Sequence, residues 1–300
     1  MEKINISFNR YYKLFNLVSL FLIVSSLLLL SFKGLNYGVD FKGGTIIELR
    51  TNDNSLTISK LRQSFTRMNL GDISVKEFGK ANDYLVKVEK KEDNNINFTS
   101  EIKQKLEESV GPVFNFRRVE SVGPKVSTEL LRSGIIAIVL SLAAMLFYIW
   151  IRFEWQFSLG AILAVFHDVV ITLGFFSLFN LEINLSIVAA VLTIVGYSMN
   201  DTVVIFDRVR ENLNKFSDIK IFVLTNISIN ETLSRTIITS ITTLLALLSI
   251  YFFGGEVLKG FSLAMILGVI FGTYSSIYIA NPVLVYLRVS QKTIIKEDKN

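Results

Sequence analysis

Six apolar runs constrain this chain more than anything else in it: Leu14–Phe32, Gly134–Ile151, Phe157–Phe179, Ile183–Phe206, Thr236–Phe253 and Phe261–Leu287. A helix that crosses a bilayer needs roughly 20 such residues. In hydrocarbon every backbone N–H and C=O must find its partner inside the segment, so runs of this length fold as helices. The chain is 51% hydrophobic, and polar sequence is concentrated at 34–130, which marks a domain boundary. The first run follows Lys3, Arg10 and Lys13 and ends in Ser31-Phe32-Lys33-Gly34. A secretory signal would have a shorter apolar region, roughly 7–15 residues, and a small-residue cleavage site. This run lacks both marks and reads as an uncleaved anchor.

Orientation is expected to follow the Lys/Arg bias of the short segments. The N-terminal tail, the loop from Arg208 to Arg235 and the tail after Arg288 are basic, whereas the links Asn180–Glu182 and Gly254–Gly260 carry only Lys259. Both termini are therefore expected in the cytoplasm, and an even number of spans agrees. Lys33, at the outer end of the first span, dissents. The expected organisation is a cytoplasmic tail (1–13), a first span (14–33), an extracytoplasmic domain (34–130), a five-helix bundle (131–287) and a cytoplasmic tail (288–300).

The outer segment has soluble patterning. Tyr37–Arg50 alternates and holds Gly43-Gly44. Thr57–Met68 is amphipathic behind a polar cap. Ile73–Phe78 and Tyr84–Glu89 read as short strands about a turn at Gly79–Asp83, Phe98–Val110 as a second helix and Val113–Val122 as a closing strand. The order β-α-β-β-α-β predicts an α+β, ferredoxin-like domain. Such a fold implies no chemistry by itself.

Composition excludes several functions. With no cysteine, disulfides, zinc–thiolate sites, iron–sulfur clusters and cysteine nucleophiles are ruled out. No P-loop, nucleophile elbow, HExxH or paired-carboxylate site is present, so neither an enzyme nor a cofactor is expected. The net charge of +5 suits the flanks of membrane spans better than a nucleic-acid surface.

Ionisable residues inside the spans are informative because each costs about 2.5–3.5 kcal/mol to insert at helix centre. His167 and Asp168 fall near the middle of the third span, where adjacent residues point about 100° apart and cannot serve one site equally. Asn200 and Asp201 lie in the inner half of the fourth. Arg235 opens the fifth and is followed by a polar stripe of Thr239, Thr242 and Thr243. One reading is a proton path, in which a cation favours the charged carboxylate and desolvation opposes it. The other is structural: a static Asp201–Arg235 bridge, an Arg235 that snorkels to headgroups, and a His167 satisfied by an interhelical hydrogen bond. Ala264, Gly268, Gly272, Ser276 and Ala280 form a small-residue ridge on the sixth span and read as a packing surface. Asp207–Arg210 reads as a solvated flank.

These residues resemble one family. Gly38-Val39-Asp40-Phe41-Lys42-Gly43-Gly44-Thr45 and Val122-Gly123-Pro124-Lys125-Val126 are similar to the segments that flank the outer domain in the SecD/SecF family of bacterial protein-export subunits. The run from Gly196 through Asn200, Asp201, Asp207 and Arg208 to Asn212, and Asn230–Thr236, resemble its SecF side in particular, and His167-Asp168 falls in its third-span pattern. The resemblance covers about Tyr37 to Pro282. It implies a six-span half related to resistance–nodulation–division (RND) transporters, in the bacterial inner membrane, paired with SecD as a heterodimer. Further implied partners are the channel proteins SecY, SecE and SecG, the associated YajC and YidC, unfolded secretory polypeptides and the lipid bilayer. The implied work is late polypeptide translocation and release, driven by a proton or sodium gradient, with Asp201 and Arg235 as the ion-transport pair and His167, Asp168 and Asn200 beside them. Two alternatives stand: half of an RND-type small-molecule or lipid exporter, and a structural scaffold of the export complex.

Overall fold

A computed structural model describes residues 5–51, 53, 56–68, 71, 73–77, 82–88, 98–110, 114–216 and 219–294. After a 3-10 turn at Phe8–Tyr11 the elements are α1 (Tyr12–Phe32), β1 (Asn36–Tyr37), α2 (Val39–Lys42), β2 (Gly44–Thr51), α3 (Ile58–Arg67), β3 (Ile73–Glu77), β4 (Asp83–Val88), α4 (Phe98–Val110) and β5 (Phe114–Val122). Then come α5 (Pro124–Arg152), α6 (Trp155–Leu178), β6 (Glu182–Ile183), α7 (Leu185–Lys215), α8 (Ile221–Phe253), α9 (Glu256–Ser275), a π-helical turn (Ser276–Ala280), α10 (Asn281–Tyr286) and α11 (Gln291–Ile294). Among the described residues, six helices are long and apolar enough to cross a membrane. The chain divides into two compact units: one holds 1–36, 136–181 and 186–300, the other 37–135 and 182–185.

In the second unit β2, β3, β4 and β5 form an antiparallel sheet in the order β3-β4-β2-β5. Alternation in β2 puts Ile47, Leu49 and Thr51 inside, while Ile46, Glu48 and Arg50 are half-exposed, as period-2 geometry requires. Onto the inner face α3 lays Leu61 and Phe65 and α4 lays Ile102 and Leu106, closing a core with Val75, Val86 and Val88. Each such fully buried apolar side chain stabilises the unit by about 1.5–3 kcal/mol. Thr57 caps α3 by accepting from the Lys60 N–H at 3.4 Å. The outer face is held by charge: Arg50 grips Asp83 (2.6 Å from Nη2) and Arg118 approaches Glu48 (3.8 Å). Arg117 is the extra residue of a bulge opposite Glu48/Leu49.

Tyr37–Arg50 is not one strand, as its alternation suggested. Val39–Lys42 coils into a single helical turn, and Gly43 at φ +80° reverses the chain into β2. Only glycine takes that backbone readily. Asp40 holds the turn by accepting the Leu185 N–H at 2.8 Å, and the Gly38 N–H bonds the Ile183 carbonyl at 2.8 Å. Phe78, most of the expected turn at Gly79–Asp83, Glu89 and Val113 lie outside the described residues.

The first unit is built on α6, α7 and α9, whose small residues let backbones approach. A Cβ on Gly160 would sit 2.8 Å from the Ala280 carbonyl oxygen, and one on Gly268 would collide with Ile194. The ridge of the sixth span is therefore a packing surface, with Ala264, Gly268, Gly272, Ser276 and Ala280 all buried. Phe153, Phe157 and Phe206 fill one end, with Phe157 and Phe206 edge to face at 5.1 Å. By contrast α1, α5 and α8 expose apolar side chains such as Leu17, Phe21, Leu140, Trp150, Ile238 and Leu245.

The basic segment from Arg208 to Arg235 is not a loop. Helix α7 continues to Lys215 and α8 starts at Ile221, so both helices project past their apolar runs. The projections are stapled together: Arg208 pairs with Glu231 (2.7 Å) and Glu211 (2.5 Å), and Asn212 donates to Glu231 (2.7 Å) and Ser228 (3.0 Å). Such pairs hold geometry more than they add stability. Asn230 clasps the backbone of Ile6 with two bonds of 2.8 Å.

Candidate ion site in the membrane unit

Helix α7 gathers three buried polar side chains on one face. Ser198, Asp201 and Thr202 stand at i, i+3 and i+4, a spacing that stacks side chains on one side of a helix, and all three are buried. Asp201 is 3% exposed. Its Oδ2 accepts from Thr273 at 3.4 Å, and Thr273 shares a 2.7 Å hydrogen bond with Ser240 of α8. One carboxylate is thus wired to two neighbouring helices. Beside it Thr202 and Ser276 share a 2.8 Å bond.

Arg235 does not open its helix; it stands near the middle of α8. The guanidinium is exposed and makes no hydrogen bond or ion pair among the described residues, and its charge reaches Asp201 only through space. A closed Asp201–Arg235 bridge is therefore not what this conformation contains. The threonine stripe is not a free polar track either. Thr239 and Thr242 donate back to carbonyls of their own helix at 2.8–3.0 Å. Among the described residues, Ser240 is a side chain of this helix that hydrogen-bonds to α9, through Thr273.

His167 and Asp168 form a second cluster. Although neighbours in sequence, they touch: Nδ1 of His167 lies 2.8 Å from Oδ1 of Asp168. They divide the surroundings, as the roughly 100° between them requires. Asp168 Oδ2 accepts from Ser198 (2.6 Å) and Ser275 (2.8 Å), while the imidazole stacks on Tyr274 at 5.7 Å. Both side chains are wholly buried, and Nε2 of His167 has no partner among the described residues. Gly272 packs closely on the cluster: a Cβ there would stand 3.1 Å from Ser198 Cα, a tight approach, and 3.6 Å from Asp168 Oδ2, an ordinary contact.

The other expected residues lie apart. Asn200 is exposed, off the buried face of α7 that holds Ser198 and Asp201, and makes no side-chain hydrogen bond among the described residues. Gly196 faces open space, since a Cβ at that position would meet nothing within 4 Å. Asp207 pairs with Arg152 at 2.8 Å, and Arg208 belongs to the helix staple. Asp40, Gly43 and Gly44 shape the turn into β2; Gly44 also has positive φ. Ser198, Ser240, Thr273 and Ser275 were not foreseen from the sequence. Their only signal is helical spacing: Ser198 precedes Asp201 by three, and Thr236 precedes Ser240 by four.

A six-helix unit, each helix long and apolar enough to cross a membrane, whose interior holds two buried, hydroxyl-bonded carboxylates defines a polytopic membrane protein. The family model described as protein export membrane protein SecD/SecF, C-terminal, matches residues 101–290, and that of the SecD/SecF GG motif matches residues 28–54. The chain belongs to the SecD/SecF family. It is 43% identical over 284 residues to protein translocase subunit SecF of Rickettsia bellii, covering 94% of this chain and 93% of the relative. To the SecF of Calditerrivibrio nitroreducens it is 46% identical over 288 residues, 94% of each chain. A crystal structure of SecDF from Thermus thermophilus, described as a translocon-associated membrane protein, superposes with a TM-score of 0.84 at 36% identity and 95% coverage of this chain. A SecDF structure in a super-membrane-facing form superposes with a TM-score of 0.70 at 35% identity. This chain spans 39% of the length of either SecDF chain.

Proposed function

We propose that the chain is an accessory subunit of a Sec protein-export translocase, the six-span half of a unit whose other half is a SecD-type chain. It works in the bacterial inner membrane with both termini cytoplasmic, and 34–130 faces outward to hold and release emerging polypeptide. The channel proteins SecY, SecE and SecG, with YajC and YidC, are the further partners. It is a transport subunit that draws on an ion gradient, proton or sodium, rather than on catalysis.

The observation that carries this reading is Asp201, a buried carboxylate wired through Thr273 to Ser240, with Arg235 on the adjoining helix acting on it through space. Ionised, Asp201 can only accept a hydrogen bond; protonated, it can also donate one. A proton taken up there reverses the donor order along Thr273 and Ser240 and frees Arg235 from its attraction. Loss of the proton draws Arg235 back. Each proton that crosses 100 mV supplies about 2.3 kcal/mol, enough to bias a two-state rearrangement. In this mechanism Arg235 is the mobile counter-charge, His167 and Asp168 sit on the second network, and Asn200 takes no part within this chain.

Export into membrane vesicles, measured with and without a collapsed gradient, tests the reading. Asp201→Asn is expected to assemble normally and to lose the gradient-dependent part of export. A scaffold would lose nothing, so equal gradient dependence in wild type and variant removes Asp201 from the mechanism.

A further inference from the structure

We propose that His167 and Asp168 form a second proton-binding site of the membrane unit, separate from Asp201, which takes up its proton at the imidazole Nε2. The inference rests on the ion-coupled reading above but concerns different atoms. Asp168 is fully buried and receives two serine hydroxyls on Oδ2, while Oδ1 stands 2.8 Å from Nδ1 of His167. No lysine or arginine pairs with it among the described residues. With one proton, on Nδ1, the pair is an anionic carboxylate beside a neutral imidazole and carries a full negative charge. With two it is neutral overall, either as imidazolium and carboxylate or as neutral imidazole and carboxylic acid. Because Oδ2 accepts from both serines, an acid proton sits on Oδ1 and points at Nδ1; in both forms of that neutral state Nε2 then bears a hydrogen, so the proton that toggles the charge enters and leaves there, and the two groups titrate as one unit.

Nε2 is the atom that the fold leaves open. The large majority of buried side-chain polar atoms are hydrogen-bonded, and here one ring nitrogen is buried without a partner among the described residues. The titratable groups near the pair are Tyr274, stacked on the ring, and Asp201, three residues beyond Ser198 on α7. Tyr274 is already committed, bonding Ser19 of α1 at 2.7 Å and donating to the Phe15 carbonyl at 2.9 Å. Helix α1 offers this region hydroxyls and aromatic rings rather than a charge.

The chain contains one histidine, which makes the test direct. The full chain, labelled with 15N-histidine and placed in lipid nanodiscs, is followed by NMR from about pH 4 to about pH 9, the span within which imidazoles ordinarily titrate. The wild type is expected to show Nε2 passing from bare to protonated as pH falls while Nδ1 stays hydrogen-bonded. Asp168→Asn displaces that transition, and Asp201→Asn leaves it in place. A ring spectrum unchanged across the whole range overturns the proposal, as does a transition that only Asp201→Asn moves. The wild-type titration decides even where Asp168→Asn fails to fold. Retained gradient dependence in Asp201→Asn would remove the earlier reading and leave this titration standing; a silent histidine would do the reverse.

Discussion

At the scale of single residues, the membrane unit turns on how closely α7 and α9 approach. A Cβ on Gly272 would meet the Ser198 backbone at 3.1 Å, whereas Gly196, on the same stretch of α7, faces nothing. Gly272→Ala should therefore destabilise by about 1–3 kcal/mol, the usual cost of overpacking a tight site, and Gly196→Ala should fall within about 0.5 kcal/mol of wild type. Thermal unfolding of the two variants in detergent measures the contrast, and equal melting temperatures would contradict the packing described. If Gly196→Ala is silent in the isolated chain yet weakens assembly with a SecD-type partner, that side of α7 is a subunit face. The sequence announces the carboxylates because charge in hydrocarbon is costly and conspicuous. It does not announce the hydroxyls that hold them. Serine and threonine can bond a carbonyl one turn back, as Thr239 and Thr242 do. Their presence in a span therefore says nothing about whether they also reach across, as Ser198, Ser275 and Thr273 do.

At the scale of elements, the sixth span shows what periodicity leaves out. Phe261–Leu287 reads as one long helix, yet Ser276–Ala280 is a π turn. Pro282 has no N–H to give, so the ladder must be broken near it. The Asn281 side chain donates to the Ser276 carbonyl at 2.7 Å, five residues back, and is itself wholly buried. That turn lies directly after Ser275, which donates to Asp168, and it begins with Ser276, which bonds Thr202. Asn281→Leu should leave the Ser276 carbonyl without that donor and cost about 1–3 kcal/mol, lowering the melting temperature, whereas Asn281→Gln should recover part of the loss. Identical melting for Asn281→Leu and wild type would mean that the side chain does not hold the turn. In the other unit the two amphipathic helices and the strands were legible from alternation and capping, because a one-sided core enforces period 2 and period 3.6. The turn at Val39–Lys42 was not, since it is tied by a hydrogen bond that Asp40 accepts from the Leu185 N–H, far away in the chain. Phe65→Ala removes a fully buried ring from that core and should cost the unit about 3–5 kcal/mol. Faster limited proteolysis within 37–135 of the full-length variant would register it, and an unchanged cleavage rate would argue that Phe65 is not part of the core.

At the scale of the whole molecule, the number of spans and the distribution of charge leave one consequence open to direct measurement. Six crossings return the chain to the side on which it started. The projecting end of α7 holds Arg208, Arg210 and Lys215, and under the proposed orientation a bias of positive residues to one set of links is expected to put that set in the cytoplasm. The absence of cysteine allows a single one to be introduced as a clean reporter. Lys103 of α4 and Lys215 of α7 are both well exposed, so replacing either disturbs little. In spheroplasts, Lys103→Cys should react at once with a membrane-impermeant maleimide, and Lys215→Cys should react only after permeabilisation. The opposite pattern would invert the orientation. Three helices, α5, α6 and α7, separate the two positions, and three crossings are expected to put them on opposite sides of the bilayer. Reaction of both from outside would mean an even number of crossings between them, so that at least one of the three fails to span.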